Sequence, residues 1–137
     1  MSSWKDSLLV GVPQIDSQHR KLVDTIDQLM DACMQGKGRT AIEQTLDFIV
    51  SYTKEHFKDE ENLQAKYEYP GLAAHKQIHA QFITTVTALL REFDQIGPNI
   101  SLTAKLNKTL IDWLANHISV EDKKVGEHIL KAGGDLP

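Results

Sequence analysis

The sequence has little of what disulfide-bonded, secreted or membrane-spanning proteins need. It contains a single cysteine, Cys33, so no disulfide can form within the chain, which favours a reducing compartment. No apolar run is long enough to span a bilayer, and the first residues lack the basic start and apolar middle of a signal peptide. We therefore expect a cytoplasmic protein without membrane insertion, in which Cys33 is a small core residue.

Basic charge is also scarce. The 15 lysines and arginines stand against 19 aspartates and glutamates, so the formal net charge is −4. Because a phosphate-binding surface needs clustered lysine and arginine, this balance argues against nucleic acid as a partner. A chain of 137 residues that is 41% hydrophobic and 25% charged is typical of one globular domain with a sizeable core.

Apolar residues recur every three or four positions along four segments, which is the spacing of amphipathic helices. Asp16 and Ser101 are suitable N-caps for the first and the fourth of them. Short turns between helices of comparable length predict an all-α, up-down-up-down antiparallel four-helix bundle, built as one domain from residues 1–137. The predicted elements are an extended N-terminal arm over residues 1–15 and helices over residues 17–35, 40–66, 71–95 and 101–131.

Two pairs of chemically active side chains lie on the apolar faces of the second and third helices. His56 and Glu60 are four positions apart, and His75 and His79 repeat that spacing. Residues four apart on a helix project from the same face, one turn from each other. Two such pairs on consecutive helices favour a metal site inside the bundle.

The outer helices add histidines at the same height. His19 lies early in the first helix and His117 lies past the middle of the fourth. In an antiparallel bundle, positions that are early, late, early and late in successive helices share one level near one end. Five histidines and Glu60 are therefore predicted to converge on one plane.

A second carboxylate after His117 is harder to assign. Regular periodicity selects Glu121, four positions further along the chain. Asp122 is five positions away, or roughly 140° around an ideal helix, and reaches the centre only if the helix is distorted or the side chain approaches from the flank. The spacing alone does not choose between them.

The mixture of imidazole and carboxylate donors favours iron or manganese over other metals. A single helical histidine has a prior of roughly one in ten of binding metal, and His128, which has no partner at this level, is interpreted as an ordinary residue. Five imidazoles amid leucine, isoleucine and valine would be largely unsatisfied without a metal. Seven donors exceed what one tetrahedral zinc uses, and imidazoles do not suit magnesium or calcium. Two irons that share carboxylates would use all of them.

These residues resemble the hemerythrin family, and most closely its single-domain bacterial form, the bacteriohemerythrins. The lead-in from Gly11 to His19 is also similar to the family's approach to its first ligand. The resemblance covers nearly the whole chain and favours Asp122 over Glu121. The family's pattern of His, His-x3-Glu, His-x3-His and His-x4-Asp is matched by the metal ligands His19, His56, Glu60, His75, His79, His117 and Asp122.

The resemblance implies two non-haem iron ions with a bridging oxo or hydroxo group, and Glu60 and Asp122 as further bridges. One iron would be held by His75, His79 and His117. The other would be held by His19 and His56, with one coordination position left for dioxygen. The implied function is reversible dioxygen binding for oxygen storage, delivery or sensing, without enzymatic turnover. The sequence indicates no protein recipient of the oxygen.

An apolar oxygen pocket is also implied by the resemblance, although plain core packing would use the same residues equally well. Its five positions are Leu22, Phe57, Trp113, Leu114 and Ile118. The main alternative is a di-iron enzyme, such as an oxidase, a peroxidase or a nitric-oxide-reducing protein. The absence of an acid from this pocket and the histidine-rich ligand set disfavour it. An iron store is disfavoured because no carboxylate-lined entry is evident.

Overall fold

The computed structural model describes residues 3–36, 39–97 and 99–133, and every regular element in these ranges is helical. A 3₁₀ turn at Asp6–Leu8 precedes the first long helix, and a π-helical segment at Ile118–Asp122 joins the fourth helix to a short fifth one. The α-helices are α1 Pro13–Met34, α2 Arg39–Lys66, α3 Leu72–Ile96, α4 Ile100–His117 and α5 Lys123–Lys131.

Contacts between the long helices close a ring. Helix α1 packs on α2 and α4, while α3 packs on α2 and α4 from the other side. This is the neighbour pattern of an up-down-up-down bundle, as predicted. The core runs along the bundle axis and is made of leucine, isoleucine, valine and phenylalanine, with Cys33 half-buried against it. None of the described helices is long and apolar enough to cross a membrane.

The start of α1 differs from the prediction. The helix begins at Pro13, with Val12 as the N-cap residue, and not near residue 17. Proline suits this position because the first helical residue has no use for an N–H group. Asp16 is not the N-cap. Its carboxylate instead accepts hydrogen bonds from the backbone N–H groups of Val10 at 2.7 Å and Gly11 at 3.1 Å, which folds the arm back onto the helix.

The predicted N-cap of α4 is also wrong. Asn99, not Ser101, caps the helix, because its side-chain oxygen accepts a hydrogen bond from the backbone N–H of Leu102 at 2.8 Å. The predicted continuous helix over 101–131 is divided into α4, the π-helical segment and α5. Two glycines follow α1 in the sequence and would suit a helix end: Gly36 has a positive φ of 68°, and Gly38 lies outside the described residues.

Gly126 is where the N-terminal arm crosses α5. A Cβ atom at this position would lie 2.2 Å from the backbone oxygen of Val10 and 3.1 Å from its carbonyl carbon. Glycine is ordinarily unfavourable within a helix, and Gly126 would on that ground loosen α5. Its role is closer to the reverse, since the missing side chain lets the arm pack directly on the helix and bury Val10.

Gly126→Ala should therefore destabilise the fold, although glycine to alanine within a helix ordinarily stabilises it by about 0.5–1 kcal/mol. We expect a loss of about 2–3 kcal/mol and a fall in Tm of roughly 10 °C, measured by thermal unfolding. Glu127→Ala, at the exposed neighbouring position of α5, is the matched control and should change stability by less than about 0.5 kcal/mol. A Tm for Gly126→Ala at or above that of the parent chain would contradict the close packing.

Candidate metal centre

All seven predicted ligands are brought together inside one end of the bundle. Each is at most 3% exposed to solvent, although the five histidines come from four separate helices. They are His19 on α1, His56 and Glu60 on α2, His75 and His79 on α3, His117 at the end of α4, and Asp122 at the end of the π-helical segment.

The π-helical segment explains how Asp122 reaches the centre. The backbone N–H of Lys123 bonds to the oxygen of Ile118, five residues back, so one extra residue is accommodated in this turn. The added residue rotates Asp122 onto the face of His117, and its Oδ1 lies 3.1 Å from His117 Nε2. Glu121, which regular periodicity would select, remains half-buried outside the cluster. The helix distortion considered from the sequence is the one that occurs.

The donor atoms form two groups that share both carboxylates. In each group the donor atoms lie within 4.8 Å of one another. The larger group contains Glu60, His75, His79, His117 and Asp122, and the smaller contains His19, His56, Glu60 and Asp122. Two adjacent metal positions bridged by two carboxylates would produce this pattern. The larger group has one more histidine than the smaller.

The distances between donor atoms fit the ligand shell of octahedral ions. For metal–nitrogen and metal–oxygen bonds of about 2.1 Å, neighbouring ligands of an octahedron lie about 3 Å apart. Glu60 provides two such edges, with Oε1 2.6 Å from His75 Nε2 and Oε2 3.3 Å from His56 Nε2. Asp122 provides others, with Oδ2 2.9 Å from His19 Nε2 and Oδ1 3.2 Å from His75 Nε2.

These close approaches are not aligned as hydrogen bonds. Among the described residues, the Nε2 atoms of His19 and His75 and both carboxylate oxygens of Asp122 are buried without a hydrogen-bond partner. Buried polar atoms without partners are rare and unfavourable. Atoms that approach within about 3 Å without hydrogen-bond geometry are satisfied together if each directs its lone pair at a shared cation. The residues therefore fit a pair of metal ions.

The charges of the site also fit cations. Burial and the neighbouring Asp122 raise the pKa of Glu60, but contacts with His19, His56 and His75 outweigh them and lower it to about 2. Burial lowers the pKa of His19, yet Asp122 and Glu60 beside its ring raise it to about 9. In the metal-free chain, protons on imidazoles thus compensate two buried carboxylates, and metal ions would replace those protons.

His79 behaves differently from His19. Burial is the largest cause that lowers its pKa to about 3, and the charges of His75 and His117 lower it further against the opposing effect of Glu60. Its ring is therefore neutral, and one ring nitrogen is free as a ligand. Its Nε2 lies 3.1 Å from His117 Nε2, so these two nitrogens point into the same small volume.

Comparison with known proteins identifies the family. The Hemerythrin HHE cation binding domain matches residues 10–129 of this chain. The chain belongs to the hemerythrin family. The resemblance drawn from the ligand pattern is thereby confirmed.

Curated relatives extend this relationship. The chain is 36% identical over 126 residues to the bacteriohemerythrin of Stenotrophomonas maltophilia (strain R551-3), covering 92% of this chain and 80% of that one. It is 39% identical over 119 residues to the bacteriohemerythrin of Pseudomonas aeruginosa (strain PAO1 among others), covering 87% and 75%. It is also 31% identical over 121 residues to the myohemerythrin of Riftia pachyptila, covering 88% of each chain.

Solved structures agree on the fold. The crystal structure of wild-type hemerythrin superposes with a TM-score of 0.82 at 29% identity, covering 93% of this chain and 96% of that one. A single-residue variant of hemerythrin gives a TM-score of 0.83 at 28% identity, covering 93% and 98%. The four-helix bundle predicted from the sequence is therefore the fold of this hemerythrin-family chain.

Aromatic rings cover one side of the cluster. Phe57 stacks on His79 with ring centroids 3.7 Å apart and planes within 1°, and Trp113 stacks on His117 at 4.4 Å. Both rings thus lie against histidines of the larger donor group. The other members of the predicted oxygen pocket, Leu22, Leu114 and Ile118, are buried core residues.

Sequence reasoning missed several polar residues behind the ligands. Gln18 accepts a hydrogen bond from His56 Nδ1 at 2.7 Å and donates one to Asp59 at 2.8 Å. Glu61 lies 2.8 Å from His79 Nδ1. Gln64, fully buried, donates to Glu60 Oε1 at 3.3 Å. The position of Gln64 four residues after Glu60 was a usable signal, whereas Asp59 and Glu61 lie off the inner helix face.

His128 lies outside the donor groups, as the sequence indicated. Its Nε2 is 2.7 Å from the backbone oxygen of Tyr67, and its ring contacts Tyr69 at a centroid distance of 5.4 Å. Because a carbonyl oxygen only accepts, His128 is the donor of this hydrogen bond. It ties α5 to the end of α2, and His128 belongs to neither donor group.

Proposed function

We propose that this chain holds two iron ions in its bundle and binds dioxygen reversibly, with the seven buried side chains as ligands. Membership of the hemerythrin family and the cation-binding description of the matching domain support the proposal. The larger donor group would hold one ion through His75, His79 and His117. The smaller would hold the other through His19 and His56, with Glu60 and Asp122 shared by both.

The inequality of the two donor groups is the observation that carries the proposal. Both groups contain the two carboxylates, but the smaller has two histidines where the larger has three. Two ions with equal coordination preferences would therefore differ by one protein ligand. An ion held by His19 and His56 would therefore be the one able to take an external diatomic ligand. Ferrous iron held in this site would supply the electrons that bind dioxygen.

The surroundings favour binding over turnover. The predicted pocket residues are apolar, and Leu22 and Ile118 are at most 1% exposed. Such side chains exclude water and offer no proton, whereas a di-iron oxidase or peroxidase needs an acid to cleave the O–O bond. We therefore infer an oxygen-binding protein and not an enzyme. A role in storage, delivery or sensing fits this chemistry, and the cytoplasmic location stays a prediction.

Oxygen uptake by the ferrous protein tests the proposal. The anaerobic protein, loaded with two ferrous ions per chain, should take up one dioxygen per pair of irons and develop ferric charge-transfer absorption. Degassing should release the dioxygen and remove the absorption. Hydrogen peroxide or nitric oxide consumed over many cycles, without recoverable dioxygen, would favour the enzyme alternative instead.

Leu114→Ala should hasten autoxidation of the oxygen-loaded protein several-fold. Leu114 is 5% exposed and precedes His117 by three residues on α4, so its truncation removes packing that keeps water and protons from the site. The decay of the oxygenated spectrum to the ferric form measures the rate.

Leu106→Ala is the matched control for this prediction. Leu106 is 2% exposed and lies two turns earlier on α4, so the same truncation removes similar packing far from the ligands. It should lower stability by about 2–5 kcal/mol without changing the autoxidation rate. Equal rates in the two variants would rule out a protective role for Leu114.

A further inference from the structure

All three residues of the acidic run Asp59-Glu60-Glu61 are connected to the metal site. Glu60 enters the donor cluster, while its two neighbours are connected to the outer nitrogens of two ligand histidines. Asp59 acts through Gln18 on His56, and Glu61 acts directly on His79. The group that accepts the hydrogen bond is a neutral amide at His56 and a charged carboxylate at His79.

Hydrogen-bond chemistry fixes the proton on both histidines. A carboxylate only accepts, so the 2.8 Å contact between Glu61 and His79 Nδ1 requires a proton on that nitrogen. Gln18 must turn its NH₂ group toward Asp59, 2.8 Å away, which leaves its oxygen to accept from His56 Nδ1 at 2.7 Å. In both rings Nε2 is then the free ligand nitrogen.

The acceptor on the outer nitrogen differs in charge between the two rings. His79 donates to a carboxylate, which draws its proton away and makes Nε2 a stronger electron donor. His56 donates to a neutral amide oxygen, which has a weaker effect. His79 belongs to the larger donor group and His56 to the smaller. Of these two ligands, the one in the larger donor group therefore receives more electron density from its outer partner.

We propose that Glu61 and Gln18 are positioning residues that make the two metal positions electronically unequal, with Glu61 stabilising the ferric state on the side of His75, His79 and His117. This inference rests on the di-iron centre of the proposed function and concerns its tuning. Glu61 acts through His79 and does not enter either donor group. Its side chain is 22% exposed, so it can be changed without opening the core.

Two isosteric variants test the inference in opposite directions. Glu61→Gln keeps a hydrogen-bond acceptor on His79 but removes its charge. The double variant Gln18→Glu with Asp59→Asn exchanges an amide and a carboxylate, so His56 gains a charged acceptor while the net charge stays the same. Glu55→Gln, at an exposed position of α2, is the control that removes one negative charge without touching a ligand.

Redox titration of the iron-loaded proteins measures the effect. Glu61→Gln should weaken iron binding about tenfold or more and raise the midpoint potential by about 59 mV, which corresponds to a tenfold change in the ferric-to-ferrous affinity ratio for one electron. The double variant should shift the potential in the opposite direction. The inference is overturned if Glu61→Gln shifts the potential no further than Glu55→Gln, or if both site variants shift it in the same direction.

Nitrogen NMR of the metal-free chain provides a readout that does not depend on iron. Glu61→Gln should change the ring ¹⁵N shifts of His79 and leave those of His56, and the double variant should do the reverse. An unchanged His79 signal in Glu61→Gln would refute the hydrogen bond itself. If fewer than two irons bind the parent chain, the proposed function fails, while this measurement still decides whether Glu61 and Gln18 act on their histidines.

Discussion

Asp122→Ala is expected to reduce the bound iron from two ions per chain to one or none, whereas Glu121→Ala should retain both. Asp122 is shared by the two donor groups, and its oxygens lie 2.9 Å from His19 Nε2 and 3.1 Å from His117 Nε2. Removing it deletes a ligand from each metal position at once. Metal analysis of anaerobically reconstituted, desalted protein gives the iron content directly.

Glu121→Ala is a stringent control because it removes the same charge from the adjacent residue. Glu121 would be the ligand if α4 continued as a regular α-helix, and only the π-helical turn at Ile118–Asp122 brings Asp122 inward instead. If Glu121→Ala loses iron and Asp122→Ala retains two ions, the π-helical register of this segment is wrong.

Removal of iron should destabilise the whole bundle. Without metal, the core at this end buries Glu60 and Asp122, which are at most 1% exposed, against protonated imidazoles, and such buried ion pairs repay their desolvation poorly. A metal pair that contributes even about 5 kcal/mol through preferential binding to the folded chain raises Tm by roughly 20 °C. Chelation under reducing conditions should lower the Tm by at least that much, as followed by circular dichroism at 222 nm.

Reconstitution separates loss of metal from damage to the protein. Ferrous iron added back anaerobically should restore the original Tm, and magnesium, which prefers oxygen ligands, should not. Asp122→Ala should show little difference in Tm with and without iron. Equal Tm values for the iron-loaded and metal-free parent chain would show that the stability of the bundle does not depend on a metal ion at this site.

The bundle and the level of the site could be predicted from the sequence because both depend on simple periodicity. The pairs His56–Glu60 and His75–His79 obey the four-residue rule, and short turns force neighbouring helices to be antiparallel. The antiparallel order of the helices therefore also predicted the level of His19 and His117 along the bundle axis. These are the features in which local pattern and global architecture agree.

The π-helical turn and the helix starts could not be predicted in the same way. The choice between Glu121 and Asp122 depends on one inserted residue, which leaves no mark on apolar periodicity; the family resemblance indicated Asp122, and spacing did not. Asp16 has the composition of an N-cap, but the N–H groups that it satisfies belong to the preceding arm. The role of Asp16 is therefore determined by the packing of the arm and not by helix propensity.

Residues behind the ligands were missed for a different reason. Gln18 and Glu61 are only partly buried, and on the sequence they are indistinguishable from surface polar residues. Each of them contacts a ligand histidine on a neighbouring helix. Which histidine it contacts depends on how α1, α2 and α3 are rotated about their axes. Periodicity gives the inner face of each helix but not the partners of residues at its margin.

We propose that the two unequal groups of donors hold a pair of irons with one place for dioxygen. Manometric or optical titration of the anaerobic diferrous protein with dioxygen tests it most directly. One dioxygen per two irons, recovered on degassing through several cycles, is the predicted result. Uptake of one dioxygen per iron, no uptake by protein that holds two irons, or irreversible consumption would contradict it.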